Sequence, residues 1–297
     1  MFAILPQVFV CLLVPGYCLW LLCRKRYASA SEKYLNLVII GLLLLALFFV
    51  ARWDTVSLYL RYIWLLLFVV GAIFSWRRPL LARPDDTDKR EGKLISNLAA
   101  IAMLLVGFGF IAASAYKPAD AVSIRPPLQD GKFYIAQGGG SVLTNYHAKS
   151  ASQKYALDIG RINRAGYQTS YPRGLNDYQI YGQTIYSPCA GTVIDVVSNL
   201  PDLKPPQTDE QHKTGNHVVM ECQGVRLVLA HMQKGSPTVK TGQTIIEGLA
   251  IGKVGNSGNT TQPHLHIHAV KAGQSIEDGQ GVPLLINGKY LVRNSTF

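Results

Sequence analysis

The sequence is poor in charge. Of 297 residues only 16% are Asp, Glu, Lys or Arg while 48% are hydrophobic, a lopsided balance for a soluble protein. The deficit is local: residues 2–23, 34–51, 62–76 and 94–116 contain no Asp, Glu, Lys or Arg. Cysteine is scarce as well, and five residues, three of them (Cys11, Cys18, Cys23) in the first apolar run, exclude a disulfide scaffold. Cys189 and Cys222 can pair at most once, and two buried thiols are the default expectation. A clustered basic face is missing too. The net charge of +11 divides between residues 1–115, with 12 Lys and Arg against 6 Asp and Glu, and residues 116–297, with 17 against 12. Most of the first share lies in short loops at 24–33 and 77–93, beside apolar runs, where membrane orientation accounts for it. The second share is scattered and not interleaved with aromatics, so no nucleic-acid partner is expected.

A hydrocarbon core about 30 Å thick takes about 20 apolar residues as a helix. The first and fourth runs reach that length, the second falls slightly short, and the third must borrow residues 56–60 past Arg61, whose side chain can snorkel to the interface. The expectation is an N-terminal all-α transmembrane bundle with four spans, at about 2–23, 34–51, 56–76 and 94–116. Arg24, Lys25 and Arg26 follow the first run instead of preceding it, which marks an uncleaved anchor and not a secretory leader. With both basic loops cytoplasmic, the N-terminus lies outside, residues 52–61 form an outer hairpin tip, and the C-terminal half is outside. The spans carry no ionisable residue in their uncharged runs, so a proton or ion pathway is not expected. Their partner is the lipid bilayer, and their number suggests a membrane protein docked against them.

Residues 117–130, with Pro118, Pro126 and Pro127, read as a linker, and residues 131–297 as a separate domain. Short β-branched runs at 191–197, 217–222, 225–231, 244–248, 249–255 and 264–270, punctuated by Gly, Asn and Pro and by a hairpin turn at Gln223-Gly224, predict a mostly antiparallel β domain. Residues 162–183 and 199–215 read as long loops of the kind that carry function.

All seven histidines (His147, His212, His217, His231, His264, His266, His268) lie in this half. Alternation along one strand puts His264, His266 and His268 on one face, neighbouring pairs about 6.5 Å apart. With a separate aspartate they are raw material for a zinc site of mixed nitrogen and oxygen ligands.

Taken together, KYALDIG (154–160), SPCAGTV (187–193), GNHVV (215–219), LAHM (229–232) and VKTGQTIIEGLAIGKVGNSGNTTQPHLHIHA (239–269) resemble the lysostaphin-type (LytM-like) zinc metallopeptidases over residues 145–272. The loop Gly255-Asn256-Ser257-Gly258 also has a physical role, letting the backbone turn sharply into the histidine strand. The resemblance implies a Zn2+ cofactor with Asp158 and His266 as ligands, and His231 and His264 as unligated catalytic histidines beside a zinc-activated water. The family's first ligand is a histidine four residues before the aspartate, where this sequence has Lys154. His147, eleven residues before Asp158 and separated from it by the turn-like stretch 148–152, is taken as the third ligand, a hairpin returning it to the aspartate strand. NYH followed by QKYALD also resembles a branch of the family with the histidine set back in this way.

The implied function is a membrane-anchored zinc metalloendopeptidase hydrolysing peptide bonds in peptidoglycan. It would sit in the bacterial cytoplasmic (inner) membrane, multi-pass, with its C-terminal domain in the periplasm or outside. The alternatives are a catalytically inactive LytM-like module that binds cell wall or regulates a partner hydrolase, for which Lys154 is the only support, and a protease acting on an exported protein. His268 reads as strand packing or as a residue behind the ligands, Asn216 and His217 as a strand start, and His212 as solvated. Tyr171, Tyr178, Tyr181 and Tyr186 could line a groove, with packing the default.

Overall fold

The computed structural model describes residues 5–81, 87–169 and 174–297. Tyr171, the first residues of span one and residues 82–86 of the second basic loop lie outside the described residues. The chain divides into two compact units, Met1–Ala112 and Ala113–Phe297.

The first unit is helical: α1 (Leu5–Val8), a π-helical segment (Phe9–Leu13), α2 (Val14–Arg24), α3 (Ala30–Val50), a 3-10 turn (Trp53–Thr55), α4 (Leu60–Arg77) and α5 (Thr87–Ala115), whose last turn crosses the division. Among the described residues four stretches are long and apolar enough to cross a membrane: Pro6–Arg24, Ala30–Val50, Leu60–Arg77 and Glu91–Ala115. Ser29 starts α3 by accepting from the Glu32 amide at 3.2 Å, while the Glu32 carboxylate accepts from the Ala28 amide at 3.3 Å, satisfying N–H groups that a helix start leaves open. At the same end of the α3–α4 hairpin, Lys33 Nζ donates to the carbonyls of Trp76 and Arg78, each at 2.8 Å, and so closes the C-terminus of α4. The third span differs from the expected 56–76. The turn at Trp53–Thr55 and buried Leu58 keep residues 56–59 out of the helix, which begins at Leu60 and runs on to Arg77. Arg61 lies in its first turn with the guanidinium over the rings of Phe48 at 4.6 Å and Tyr62 at 4.9 Å.

The second unit is a mostly antiparallel β domain. Its strands are β1 (Val122–Ile124), β2 (Lys132–Gln137), β3 (Leu157–Ile162), β4 (Thr184–Tyr186), β5 (Gly191–Val197), β6 (Asn216–Cys222), β7 (Val225–Met232), β8 (Thr244–Ile245), β9 (Ala250–Lys253), β10 (Leu265–Lys271), β11 (Gly281–Val282), β12 (Leu284–Ile286) and β13 (Lys289–Tyr290). The main sheet runs β2-β3-β10-β7-β6-β5-β8, with β11 on β10; β4 pairs β9, and β12 lies between β1 and β13. Among the described residues only β1 and β12 pair in parallel. The β6–β7 hairpin turns at Gln223 and Gly224, whose φ values of 51° and 77° are those of the two-residue turn that matches strand twist. The predicted run 244–248 is a strand over two residues only, ending in Gly248 with φ of 80°.

Two further expectations are corrected. The stretch 117–130 is not merely a linker: β1 falls in it, and Ile124 and Leu128 are buried in the core of the β domain. Its prolines frame an edge strand, where a missing N–H costs nothing. Cys189 and Cys222 form a disulfide instead of two thiols. Cys189 lies just before β5 and Cys222 ends the neighbouring antiparallel β6, which brings their Cα atoms to 6.4 Å, within bonding range.

The period of two along β10 decides where the site lies. Leu265, Ile267 and Ala269 enter the core with Ile159, Leu227 and Leu229, so the residues between them, His266 and His268, face the other side of the sheet.

Candidate metal centre

The register of β3 against β10 sets His266 directly opposite Asp158, and the His266 Nδ1 lies 2.9 Å from Asp158 Oδ1. On its other side His266 pairs with Ala230 of β7, one residue before His231. The sheet thus gathers Asp158, His231 and His266 from three adjacent strands.

His147 comes from outside the sheet. It sits in a 3-10 turn, Tyr146–Lys149, and its Nε2 lies 3.0 Å from both carboxylate oxygens of Asp158. The connection is therefore a 3-10 turn followed by hydrogen-bonded turns, not the expected hairpin. The Lys154 ammonium lies over the ring of its neighbour Tyr155, 5.3 Å from the centroid. His147 occupies the place beside the aspartate that the sequence denied to residue 154.

His231 and His264 complete the group. His231 has a φ of 59°, a left-handed conformation costly for a residue with a Cβ. It is held there by its Nδ1–H, which donates to the Ser257 carbonyl at 2.9 Å, and by its own carbonyl, which accepts from the Gly255 amide at 3.0 Å. Ser257 is fixed in turn: its hydroxyl donates to the Met232 carbonyl at 2.7 Å and accepts from the Asn216 amide at 2.9 Å. The Gly255–Gly258 loop therefore orients His231 as well as turning into β10, and a Cβ on Gly255 would come within 2.4 Å of the Gln233 backbone. Sequence reasoning gave Ser257 and Asn216 no part in this; the only signal was their place in GNHVV and GNSG. His264 Nδ1–H donates to the Gln262 carbonyl at 2.8 Å, and its Nε2 lies 3.5 Å from Asp158 Oδ1. Ring centroids of His231 and His264 are 4.8 Å apart. His147, Asp158 and His266 each present one donor atom within 4.8 Å of the others, and so do His231, His264 and His266.

The remaining candidates separate cleanly. His268 Nδ1 lies 2.9 Å from His266 Nε2, so it stands behind that residue. His217 bonds the Gly215 carbonyl at 2.8 Å and Asp195 at 3.2 Å, and His212 pairs with Asp209 in an exposed loop. Tyr178 is buried, and Tyr181 donates to Asp202 at 3.4 Å.

Burial would raise the Asp158 pKa, but the charges of His147 and His264 and their hydrogen bonds hold it well below the usual carboxylate value. Burial also pushes His147 down, yet the Asp158 carboxylate and the bonds to it and to Gln153 outweigh this and raise it. Burial takes His266 down to about 4, and holds His231 and His268 well below the ordinary 6.5. The last three are neutral at pH 7 and so keep a lone pair.

This donor set fits zinc. Two imidazoles and one carboxylate converge, and the outer nitrogen of each ring has its own partner, Gln153 for His147 Nδ1 at 3.1 Å and His268 for His266 Nε2, which fixes ring orientation. His147 through Nε2, Asp158 and His266 through Nδ1 are the residues that could hold the ion.

Among solved structures the chain is similar to a peptidase M23 from Pseudomonas aeruginosa at 21% identity and TM-score 0.32, covering 69% of this chain and 62% of that one. It is similar to a zinc-containing peptidase from Vibrio cholerae at 21% identity and TM-score 0.30, covering 58% and 37% of the two chains. It is also similar to the catalytic domain of the antimicrobial peptidase lysostaphin from Staphylococcus simulans, at 22% identity and TM-score 0.25, over 39% of this chain and 86% of that one. The chain thus spans less than two thirds of the first two. Residues 173–278 match the family model for Peptidase family M23, a stretch that contains His231, His264 and His266 and begins after Asp158. Over residues 173–278 the chain is similar to Peptidase family M23.

Proposed function

We propose that this protein is a membrane-anchored zinc metalloendopeptidase that hydrolyses peptide bonds in peptidoglycan, with its β domain on the outer face of the cytoplasmic membrane. The observation that carries the reading is the convergence of His147, Asp158 and His266 beside the second histidine pair. When bound by those three residues, zinc would polarise the scissile carbonyl and acidify a water molecule. The rest falls to His231 and His264. His231 has its Nδ1–H tied to the Ser257 carbonyl, which leaves its Nε2 as a base, while His264, its Nδ1–H tied to the Gln262 carbonyl, turns its Nε2 toward Asp158 at 3.5 Å. One Nε2 takes the proton of the attacking water and a protonated Nε2 returns it to the leaving amine, as the carbon–nitrogen bond breaks.

Lys154 was the only support for a silent wall-binding module, and His147 beside Asp158 offers the third ligand that such a module would lack. Four apolar helices and the basic loops between them support the anchor and its orientation, and the Cys189–Cys222 disulfide fits an oxidising compartment. The test is zinc content and release of peptides from purified peptidoglycan by the full chain in detergent, for wild type, His147→Ala and His266→Ala. One zinc per wild-type chain, lost with peptide release in both variants, is expected; a folded wild type that binds no zinc would sink the proposal.

A further inference from the structure

Nothing in the sequence around His147 is a strand or helix that would position a ligand to within a fraction of an ångström. Its turn is four residues long and lies off the sheet edge. The residue before that turn is Asn145, fully buried, and its side-chain amide is saturated. The Oδ1 accepts from the amide of His147 itself at 3.1 Å. The two Nδ2 hydrogens are shared among three carbonyls within reach: Gly139 at 2.9 Å, Ala156 at 3.1 Å and Lys154 at 3.2 Å. Those contacts belong to three separate stretches of chain. Gly139 is the exit from β2, His147 is the ligand turn, and Lys154 and Ala156 are the lead-in to β3, which carries Asp158 two residues further on.

We propose that Asn145 is the positioning residue of the metal site: a single buried amide fixes the His147 turn and the Asp158 strand to one another. The proposal rests on the metal-site reading above. The chemistry admits few substitutes. One face of the group must accept from an N–H while the other donates to carbonyls, and only Asn and Gln among side chains carry a carbonyl and an NH2 on one planar carbon. Asp would set a carboxylate against three carbonyl oxygens, and Ser could cap the turn but could not reach the β3 lead-in. Buried polar groups left without partners are costly, so the segments would move apart to find water, and His147 would move with them. The role is specific to a set-back ligand, because a histidine at residue 154 would need no such tie to reach the strand it precedes.

The test uses the full chain in detergent and measures zinc affinity by competition with a chromophoric chelator, with far-UV circular dichroism as the check on folding. Wild type is compared with Asn145→Ala, Asn145→Ser and His147→Ala. Asn145→Ser keeps the cap and is read if Asn145→Ala fails to fold. Zinc affinity is expected to fall about 10- to 100-fold in the folded Asn145 variants, the range for losing a group that orients a metal ligand. Folded Asn145→Ser that binds zinc within about twofold of wild type, while His147→Ala has lost it, would overturn the positioning role and leave the metal site standing. Wild type that binds no zinc would overturn both.

Discussion

The helical half and the β half place their apolar residues in opposite ways. Along the helices Phe9, Trp20, Leu66, Val70 and Phe110 are each more than half exposed. In the β domain Ile135, Ile159, Leu227, Leu229 and Ile267 are wholly enclosed by their own chain. One half has a surface that suits hydrocarbon around a small cluster of Cys18, Leu22, Ile40 and Leu44; the other encloses a much larger core. The second arrangement is the one that can hold a polar network. His231, His266, His268, Asn145, Asn216 and Ser257 are all buried there, each with hydrogen-bond partners, because a rigid sheet fixes what they touch.

The largest effect falls on the site. Asp158→Ala removes the carboxylate that faces His147, His264 and His266, and zinc content of the purified chain should drop from about one per molecule to background. His231→Ala and His264→Ala should instead keep zinc and lose about 10²- to 10⁴-fold in kcat, which elemental analysis beside peptide-release assays would distinguish. Zinc lost equally in all three would dissolve the division between ligands and bases.

The next pair tests the comparison itself. Leu227→Ala in the closed core is expected to cost about 2–5 kcal/mol, read by chemical denaturation. Leu66→Ala, at a position 64% exposed on α4, should be close to neutral in detergent. Similar costs at both positions would mean that the helical half has a core like that of the β domain. Replacing Cys189 and Cys222 by serine should remove about 2–4 kcal/mol from the β domain, since the bond closes a loop of 33 residues.

The smallest effect is one of pH on the zinc-free protein. His266, with a folded pKa of about 4, and His231 and His268, also depressed, stay neutral in the fold but take up protons on unfolding once the pH is below 6.5. The unfolded state then binds more protons, so these three make stability fall as pH drops from 6.5 towards 4. The raised pKa of His147 works the other way: its contribution is full below 6.5 and is lost as pH rises through its folded value. His147 gains nothing further below 6.5, so the melting temperature should decline on acidification from 6.5 towards 4. A flat or rising melting temperature would mean the three histidines are not held neutral.

Much of this was legible in the residues. Charge-free runs mark the four helices because a long stretch without charge has few other uses, and alternation along 264–268 places the histidines on one face of a strand. Span three was misjudged at its start because hydropathy does not register a turn closed by buried Trp53. Residues 117–130 concealed a strand because prolines read as linker whether or not a partner strand lies beside them, and β12 is more than 150 residues away. The disulfide depended on β5 and β6 being neighbours, which spacing alone did not reveal.

The sequence by itself determined the residue types and the two surfaces: apolar helices, a β domain, four histidines and one aspartate of the right chemistry. The tertiary structure alone decided that His147 reaches Asp158 through a 3-10 turn, that Ser257 aims His231, and that the Asn145 amide bonds the exit of β2, the His147 turn and the lead-in to β3. Local patterns follow from the period of a strand or helix, which neighbouring residues carry. A site made by side chains from β3, β7, β10 and a turn off the sheet depends on register between strands, and register is set by contacts that no local stretch of sequence contains.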